Sequence, residues 1–499
     1  MKEATDEKKK YELPPIDLLD MLPKSNKELD SDLRAKATKM ENILKVFNAD
    51  SSVVQVTQGP TVMRYEIQPA TGVRISKIRT LADDIALNFG AISVRIEAPL
   101  PGKSTIGIEV VNEEPEIVPL REILDSAEFK SKKSKVVFAL GKDTSNNAVT
   151  ADLMDMPHLL IGGCSGSGKT MFLNTLILSF LYRATPDEVK FMIIDPKSIE
   201  FRKYNGIPHL LVPVITDISK GVGALKWAVT EINERYNRFF STNTHNVNSY
   251  NDLVRKNGEN DKVLPQIVIV IDELSELMTE AYSQMLDSIV RIAQKGRAAG
   301  IHLVAATQRL STDVITSIMK ANIASRIAFK LFSGIDSLTI IDDKGAEKLI
   351  GWGDMLFSPI GRINPVRIKG CFVSDGEVNS VIEYIKSQVN GGEPDIKKTE
   401  ILSEIDSFEI PTFRKQDKGE KFLLGAIELA VACRKISRSQ IQRVFRIGFN
   451  RAETIMNTME GMGIVGPKND SGSHEVIMTI EEFDIFYHLY KKGDITITI

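Results

Sequence analysis

The sequence predicts an α/β fold in which a parallel sheet lies between layers of helices. Between about residues 131 and 388, short apolar runs alternate with helical patterns; the runs are at 159–161, 191–194, 267–271, 302–306 and 326–329. Strands that are apolar on both faces are typical of a buried parallel sheet. A glycine-rich loop follows the first run and two acids follow the third, and such sheets bind ligands at the carboxyl ends of their strands.

Length and composition limit the number of domains and the classes of protein to which the chain can belong. A chain of 499 residues corresponds to about three domains at roughly 150 residues each. A net charge of −3 excludes a globally basic protein, so any contact with nucleic acid must be local. Three distant cysteines and six scattered histidines predict a reducing compartment and no zinc site. No apolar run is long enough for a transmembrane helix, so we expect a soluble, cytoplasmic chain as given.

Composition and pattern divide the chain into five segments. Residues 1–34 are charged and contain three prolines, which predicts a flexible lead. Residues 35–130 predict a small α/β unit that lacks a catalytic constellation, so we expect a scaffold or assembly role for it. The parallel sheet belongs to 131–388, a polar linker to 389–420, and a compact, mainly helical segment to 421–499.

The loop after the first strand matches Gly-x-x-x-x-Gly-Lys-Thr. Glycines allow backbone N–H groups to turn inward around phosphate oxygens, and the helix that follows adds its positive end. Lys169 would reach the β- and γ-phosphates of ATP, and Thr170 would place its hydroxyl on Mg²⁺. A purely structural turn does not explain the Lys-Thr pair. The predicted nucleotide-binding residues are Gly163, Cys164, Ser165, Gly166, Ser167, Gly168, Lys169 and Thr170.

Polar residues end three of the other predicted strands. Asp272 suits a Mg²⁺ site, and Glu273 can polarise the water that attacks the γ-phosphate. The alternative is a helix N-terminus, where acids are favourable. Gln308 follows the strand at 302–306, where its amide could sense the γ-phosphate. The turn at 195–197 either couples the nucleotide to a neighbouring subunit or is a simple strand-to-helix turn.

The C-terminal segment predicts a winged helix. Its order is helix, helix, turn, helix and then a hairpin between 466 and 480. Six basic residues and no acid lie between positions 434 and 451, namely Arg434, Lys435, Arg438, Arg443, Arg446 and Arg451. A solvated basic face is the alternative, but basic charge around a helix-turn-helix favours contact with DNA.

With these motifs placed, the chain resembles the bacterial DNA translocases of the FtsK/SpoIIIE family. The run GPTVMRYEIQPATGVRISKI resembles the family's α motor domain. The runs VIDELSELM, AQKGRAAGIHLVAATQR and GWGDML resemble its RecA-like β domain, a P-loop NTPase core. The run ISRSQIQRVFRIGFNRAETIMNTMEGMGIVGP is similar to its winged-helix γ domain. The resemblance covers about residues 35–390 and 420–480.

The resemblance implies an ATP-driven hexameric ring around double-stranded DNA that acts in chromosome segregation during division or sporulation. The γ domain would set its orientation on DNA. Implied partners are double-stranded DNA, five further copies of the chain, and division-site or recombinase proteins, with no small-molecule substrate beyond ATP. Relatives are tethered by N-terminal transmembrane helices, so the sequence is either a fragment of a membrane-anchored protein or a soluble member of the family.

The resemblance also assigns residue roles. Lys169 and Thr170 match the Walker A pair, and Asp272 and Glu273 match the Walker B pair. Arg297 matches an arginine finger that acts in trans, and Arg326 is the second candidate for that role. Residues matched to DNA contacts are Arg309 on a pore-facing loop and Arg446, Asn450 and Arg451 in the γ domain, and the basic cluster around the helix-turn-helix adds Arg438 as a further candidate.

The chain departs from the family pattern at a few of these places. Gly334 and Leu338 replace residues of the second pore-facing loop, and Trp352 replaces a basic residue. These departures predict fewer phosphate contacts and a weaker salt dependence. Glu453 stands where a small residue is common, which could alter base preference.

Two other functions are compatible with a phosphate loop and an acid pair. A secretion or conjugation ATPase would move protein or single-stranded DNA, but such relatives seldom carry the C-terminal winged helix with RIGFNRA. A non-motor DNA-binding protein could use nucleotide as an assembly switch. Glu273 argues against that hypothesis, because a pure switch has no need of a residue that polarises water.

Overall fold

The structure is a computed structural model that forms three units, each with its own sheet. Within the described ranges, no helix is both long and apolar enough to cross a membrane. The described residues are 11–21, 30–100, 102–197, 200–362, 364–388, 396–408, 420–445, 447–469, 472–479, 482–483 and 486–487.

The N-terminal unit is an antiparallel sheet of order β1-β2-β4-β3 covered by helices. Its core is made by side chains such as Met40, Leu44, Ile67, Ile85 and Ile108, all fully buried. Its elements are α1 (Asp30–Val46), β1 (Ser51–Gln58), β2 (Val62–Pro69), α2 (Ile75–Thr80), α3 (Ala82–Phe89), β3 (Val94–Glu97) and β4 (Ile106–Val111).

The central unit contains the large sheet. Its elements are β5 (Val118–Pro119), α4 (Leu120–Leu124), α5 (Ala127–Ser131), β6 (Val137–Asp143), β7 (Ala148–Asp152), β8 (His158–Gly162), α6 (Lys169–Leu181), β9 (Val189–Ile194), α7 (Ile218–Ser241), α8 (Val247–Lys256), β10 (Gln266–Ile271), α9 (Leu274–Glu280), α10 (Tyr282–Ala299), β11 (Ile301–Thr307), α11 (Ser317–Asn322), β12 (Ser325–Phe329), α12 (Gly334–Ile341), β13 (Asp354–Ser358), β14 (Val366–Phe372), α13 (Asp375–Ser387) and α14 (Ile396–Ser407).

The five predicted strands form the parallel part of this sheet, in the order β12-β8-β11-β10-β9. The α/β prediction is confirmed. Strands β13, β14, β6 and β7 extend the sheet in antiparallel fashion beyond β12, and the sequence did not predict them. The pattern of β14 is obscured because this strand carries Arg367 and Lys369, which are buried even though they are charged.

The prediction of a flexible lead is wrong for residues 11–21, which pack against the rest of the chain. Residues 11–21 lie on the central unit, with Leu19 fully buried in its core. The backbone N–H of Glu12 donates to Gln388 Oε1 at 2.8 Å, and that of Asp20 donates to Glu377 Oε1 at 2.8 Å. The charged composition of the segment concealed these anchoring contacts.

The predicted linker contains a docked helix, α14. Ile405 of this helix is buried, and Lys220 Nζ of α7 lies 2.9 Å from Asp406 Oδ1. A Cβ added to Gly223 of α7 would stand only 2.5 Å from the Ile405 carbonyl oxygen, so the two helices meet where α7 has no side chain. The many charges of 389–420 hid the short apolar face of α14.

We expect Gly223→Ala to lower the free energy of unfolding by about 1–3 kcal/mol, since an added methyl group at a closely packed contact forces backbone shifts. Chemical denaturation of the variant measures this. Gly376→Ala is the matched control, because Gly376 is exposed in the first turn of α13 and a Cβ there meets only ordinary contact distances. Equal stability of the two variants would show that α14 does not pack tightly on α7.

The C-terminal unit has the predicted winged-helix order, with a small sheet of order β15-β17-β16. Its elements are α15 (Glu420–Cys433), β15 (Lys435–Ile436), α16 (Arg438–Phe445), α17 (Phe449–Gly461), β16 (Val465–Lys468) and β17 (His474–Val476). It contacts α10 of the central unit, where Ser283 Oγ donates to Glu428 Oε1 at 2.5 Å.

Candidate functional site

The glycine-rich loop connects the end of β8 to the first residue of α6, as the sequence predicts. Gly166 (φ +73°) and Gly168 (φ +110°) adopt left-handed backbone conformations that favour glycine. A Cβ on Gly168 would also lie 2.5 Å from the backbone nitrogen of Gly353, so no side chain fits there. The loop is anchored at its start, because the N–H of Gly163 donates to Thr307 O at 3.3 Å and that of Cys164 to Lys330 O at 3.0 Å.

Exposure within the loop varies along its length. Ser165 and Gly166 face solvent, Thr170 is half-buried in the first turn of α6, and Lys169 is only 3% exposed. The Ser167 hydroxyl is buried and has no hydrogen-bond partner within the described part of the chain. An unsatisfied buried hydroxyl at the start of a helix is a feature that an anionic ligand could satisfy.

The Lys169 ammonium group lies against the two acids that follow β10. It donates to the carbonyl oxygen of Asp272 at 2.6 Å, lies 3.4 Å from Asp272 Oδ1, and is 3.9 Å from Glu273 Oε2. Burial raises the pKa of Asp272 above its ordinary value, and the charges of Asp195 and Glu273 add to that effect while Lys169 opposes it. The sequence prediction that these residues share one site is therefore consistent with their geometry.

The Glu273 carboxylate is held by several donors. Ser275 Oγ and Thr307 Oγ1 each donate to Oε1 at 2.8 Å, and the Gln308 backbone N–H donates to it at 3.1 Å. Lys197 Nζ donates to Oε2 at 3.0 Å. Burial alone would raise the pKa of Glu273, but Lys169 and these donors lower it below its ordinary value. Glu273 is thus fixed in orientation and kept ionised.

Some of these partners were not assigned to the site from sequence. The turn at 195–197 had two open interpretations, and the structure brings Lys197 of that turn onto Glu273. The sequence did not predict that Ser275 and Thr307 bind Glu273, although they lie within two positions of the predicted site residues Glu273 and Gln308. Gln308 contacts Glu273 through its backbone N–H. Its side-chain amide, the predicted sensor of the γ-phosphate, is exposed.

The described residues contain no cluster of three or more His, Cys, Asp or Glu side chains that could hold a metal ion alone. Mg²⁺ in nucleotide sites is commonly bound by one or two protein groups together with phosphate oxygens. A half-buried Thr170 hydroxyl and the Asp272 carboxylate fit that requirement, and the unsatisfied Ser167 hydroxyl fits a phosphate.

The two arginine candidates lie in different surroundings. Arg297 is exposed in the last turn of α10, just before β11 begins. Arg326 donates to the Lys320 carbonyl at 3.1 Å, and it also pairs with the Asp342 carboxylate. Because Arg326 is held by partners in its own chain, it is a poor candidate for reaching a neighbouring subunit.

The residues matched to the pore loops have contrasting chemistry. Arg309 is half exposed, and its Nη2 lies 3.5 Å from Asp313 Oδ2. Large apolar side chains are exposed around the second pore-facing loop and at the position of the replaced basic residue. They are Phe332, Ile335 and Trp352, which are 85%, 75% and 82% exposed. The second loop thus exposes large apolar side chains at positions 332 and 335.

The winged helix places its candidate residues at the start of α17 and on α16. Asn450 is exposed, and the Arg451 guanidinium lies 4.7 Å from the centre of the Phe422 ring. Arg438 pairs with the Glu453 carboxylate and lies 5.5 Å from the Phe449 ring centre. Arg446 lies outside the described residues. Arg438 is thus partly neutralised by the residue that departs from the family pattern.

Three protein-family models match the chain. The FtsK alpha domain matches residues 13–112, the FtsK/SpoIIIE family matches residues 119–312, and the Ftsk gamma domain matches residues 417–479. Each of the three structural units is therefore matched by a separate model.

Curated relatives match along nearly the whole chain. The DNA translocase FtsK of Clostridium tetani is 49% identical over 475 residues, which are 95% of this chain and 63% of that protein. The DNA translocase SpoIIIE of Bacillus subtilis is 45% identical over 483 residues, which are 96% of this chain and 60% of that protein. The chain therefore spans less than two thirds of the length of these relatives.

Among solved structures, the monomer form of the pCW3 conjugation coupling protein TcpA with ATPγS is similar, with a TM-score of 0.50. It is 19% identical, and the match covers 70% of this chain and 99% of that one. At this identity the likeness concerns the fold alone.

Proposed function

The chain belongs to the FtsK/SpoIIIE family, as its motifs predicted, and on that premise we propose that it is an ATP-driven translocase of double-stranded DNA. We infer further that it works as a hexameric ring in chromosome segregation, with orientation set by the winged helix. One observation carries the proposal: a buried, ionised Glu273 is oriented by four donors beside the lysine of a phosphate loop. A site that only bound nucleotide would not require this arrangement.

In this proposal, the backbone of the phosphate loop and the N-terminus of α6 bind the ATP phosphates. Lys169 leaves Asp272 to contact the β- and γ-phosphates. Mg²⁺, which Thr170 and Asp272 would hold, neutralises charge on the phosphate oxygens when bound. Glu273 accepts a hydrogen bond from the attacking water and aligns it with the γ-phosphate. Its lowered pKa keeps it ionised for that task.

The geometry supports an arginine from a neighbouring subunit. Strand β11 runs parallel to β8, and its last residue, Thr307, is paired with Gly162 beside the phosphate loop. Arg297 precedes the opposite end of β11, and the six residue steps of this strand at about 3.3 Å each put roughly 20 Å between its two ends. Arg297 therefore lies too far from the loop of its own chain to act there, and its exposed side chain supports a role at the loop of a neighbouring subunit.

The proposed function is tested by measuring ATP hydrolysis with long duplex DNA, with single-stranded DNA and without DNA. We expect strong stimulation by duplex alone. Equal rates under all three conditions, with hydrolysis intact, would contradict a duplex motor and favour a protein-translocating ATPase.

Glu273→Gln is expected to reduce turnover by about 10²–10⁴-fold while nucleotide binding is retained, because the amide keeps the shape but cannot take up a proton from water. Single-turnover experiments should find uncleaved ATP on the protein. Glu276→Gln is the matched control, since Glu276 is exposed on α9 and three residues away. Normal turnover in Glu273→Gln would refute the role of this carboxylate.

Glu453→Gln is expected to strengthen DNA binding by the winged helix, because Arg438 then loses its carboxylate partner and is free for a phosphate. One added phosphate contact steepens the slope of log K against log salt by about 0.9. Titrations at several salt concentrations measure the slope. Glu460→Gln removes the same charge from α17 at a site 3.8 Å from His474 and away from Arg438. If both variants change the slope equally, the effect is one of net charge alone.

A further inference from the structure

The segment 345–354 touches the phosphate loop on one side. The backbone N–H of Gly353 donates to the Ser167 carbonyl at 2.9 Å, and the close approach of Gly168 to Gly353 leaves no room for a side chain. Ser167 and Gly168 are the last two residues before α6. The position of this part of the phosphate loop therefore depends on the position of Gly353.

The same segment touches the N-terminal unit on its other side. Ser93 Oγ donates to the Lys348 carbonyl at 2.8 Å. A Cβ built on Gly345 would lie 3.3 Å from Arg95 Nε, which places the backbone of the segment directly against that guanidinium. The segment thus lies between the N-terminal unit and the phosphate loop.

A buried set of charges joins these two contacts. Arg367 of β14 binds Asp354 with two hydrogen bonds, Nε to Oδ1 at 3.1 Å and Nη2 to Oδ2 at 2.7 Å. Its Nη1 donates to Glu109 Oε2 of the N-terminal unit at 3.1 Å. The side chains of all three residues are at most 2% exposed. Buried charges tolerate displacement poorly, because a partner that moves away leaves an uncompensated ion.

Asp354 in turn holds the backbone of the segment. Its Oδ2 accepts the Ile350 N–H at 3.1 Å, and Lys369 Nζ donates to the Trp352 carbonyl at 2.8 Å. Gly351, Trp352 and Gly353 all have positive φ angles, between +54° and +89°. A tryptophan in the left-handed region is uncommon and persists where surrounding contacts impose it.

We propose that Glu109 and Arg367 are positioning residues for the nucleotide site, so that the N-terminal unit takes part in nucleotide binding as well as in assembly. The inference rests on the proposed function, because it assumes that the phosphate loop binds nucleotide. Glu109 touches no residue of the loop. It acts through Arg367, Asp354 and Gly353, which fix the Ser167 and Gly168 backbone in the conformation that receives phosphate.

The test compares ADP affinity, measured by calorimetry with Mg²⁺ present, in Glu109→Gln and Glu97→Gln. Glu97 is the matched control, because Glu109 and Glu97 both pair with Arg64 of the N-terminal unit, at 3.6 and 2.9 Å, and among the described residues only Glu109 of these two forms an ion pair with Arg367. Coupling between sites is typically 5- to 150-fold in affinity, so we expect Glu109→Gln to weaken ADP binding by roughly 5- to 100-fold and Glu97→Gln to leave it unchanged. Equal affinity in the two variants would overturn the inference. Failure of the wild-type protein to bind ADP would overturn the proposed function, and the inference with it.

A second measurement uses the wild-type protein and holds even where Glu109→Gln fails to fold. If the affinity for nucleotide depends on the N-terminal unit, thermodynamic linkage requires that bound nucleotide in turn stabilises the N-terminal unit. ADP should therefore slow hydrogen exchange in β4 and in residues 345–354, while β1, at the far edge of the N-terminal sheet, stays unchanged. Slowing confined to the phosphate loop and α6 would contradict the inference.

Discussion

Lys169→Ala is expected to abolish ATP binding at micromolar nucleotide and, with it, all turnover. A lysine that makes two charge-assisted hydrogen bonds to phosphates contributes roughly 1.5–3 kcal/mol for each, so affinity should fall by at least about 100-fold. The same change leaves Asp272 and Glu273 close together without the ammonium group that now lies 3.4 and 3.9 Å from them. Without that ammonium group, the uncompensated negative charge of the two buried acids repels the phosphates and further disfavours a negatively charged ligand.

Calorimetric titration with ATP and with ADP measures the loss. Lys220→Ala is the control, because Lys220 is half exposed and its partner is Asp406 of α14. Lys169→Ala with wild-type affinity would show that the loop is not a nucleotide site, and the proposed function would fall with it.

Arg297→Ala is expected to leave nucleotide binding intact and to reduce hydrolysis in the proposed ring by about 10³-fold or more. An arginine supplied by a neighbouring subunit stabilises the charge of the transferring phosphoryl group, and such an arginine increases the rate of hydrolysis by roughly 10³- to 10⁵-fold. The residue is exposed at the end of α10, and it lies at the opposite edge of the sheet from its own phosphate loop.

Mixed rings separate action in trans from a local structural effect. A site that combines Glu273 of an Arg297→Ala subunit with Arg297 of a Glu273→Gln subunit is complete, so mixing two inactive variants should restore part of the activity. Arg291→Ala serves as the control, because Arg291 is exposed on α10 and pairs with Asp287 of the same helix. No recovery at any mixing ratio would contradict the trans assignment.

Much of the fold could be predicted because its signals are local. The five parallel strands are continuous apolar runs, and glycines with a following Lys-Thr pair mark the loop after β8. Strand β14 of the central sheet and helix α14 were missed for the opposite reason. Arg367 and Lys369 interrupt the apolar pattern of β14, and the apolar face of α14 lies in a strongly charged segment.

The sequence by itself determined the family, the α/β core, the phosphate loop and the acid pair, because each depends on residues a few positions apart. Only the tertiary structure decided which distant residues complete the site. Lys197 reaches Glu273 across 76 positions, and Arg367 reaches Glu109 across 258. Those contacts depend on the path of the chain through the sheet and on burial, where a charge needs a partner wherever the fold can supply one.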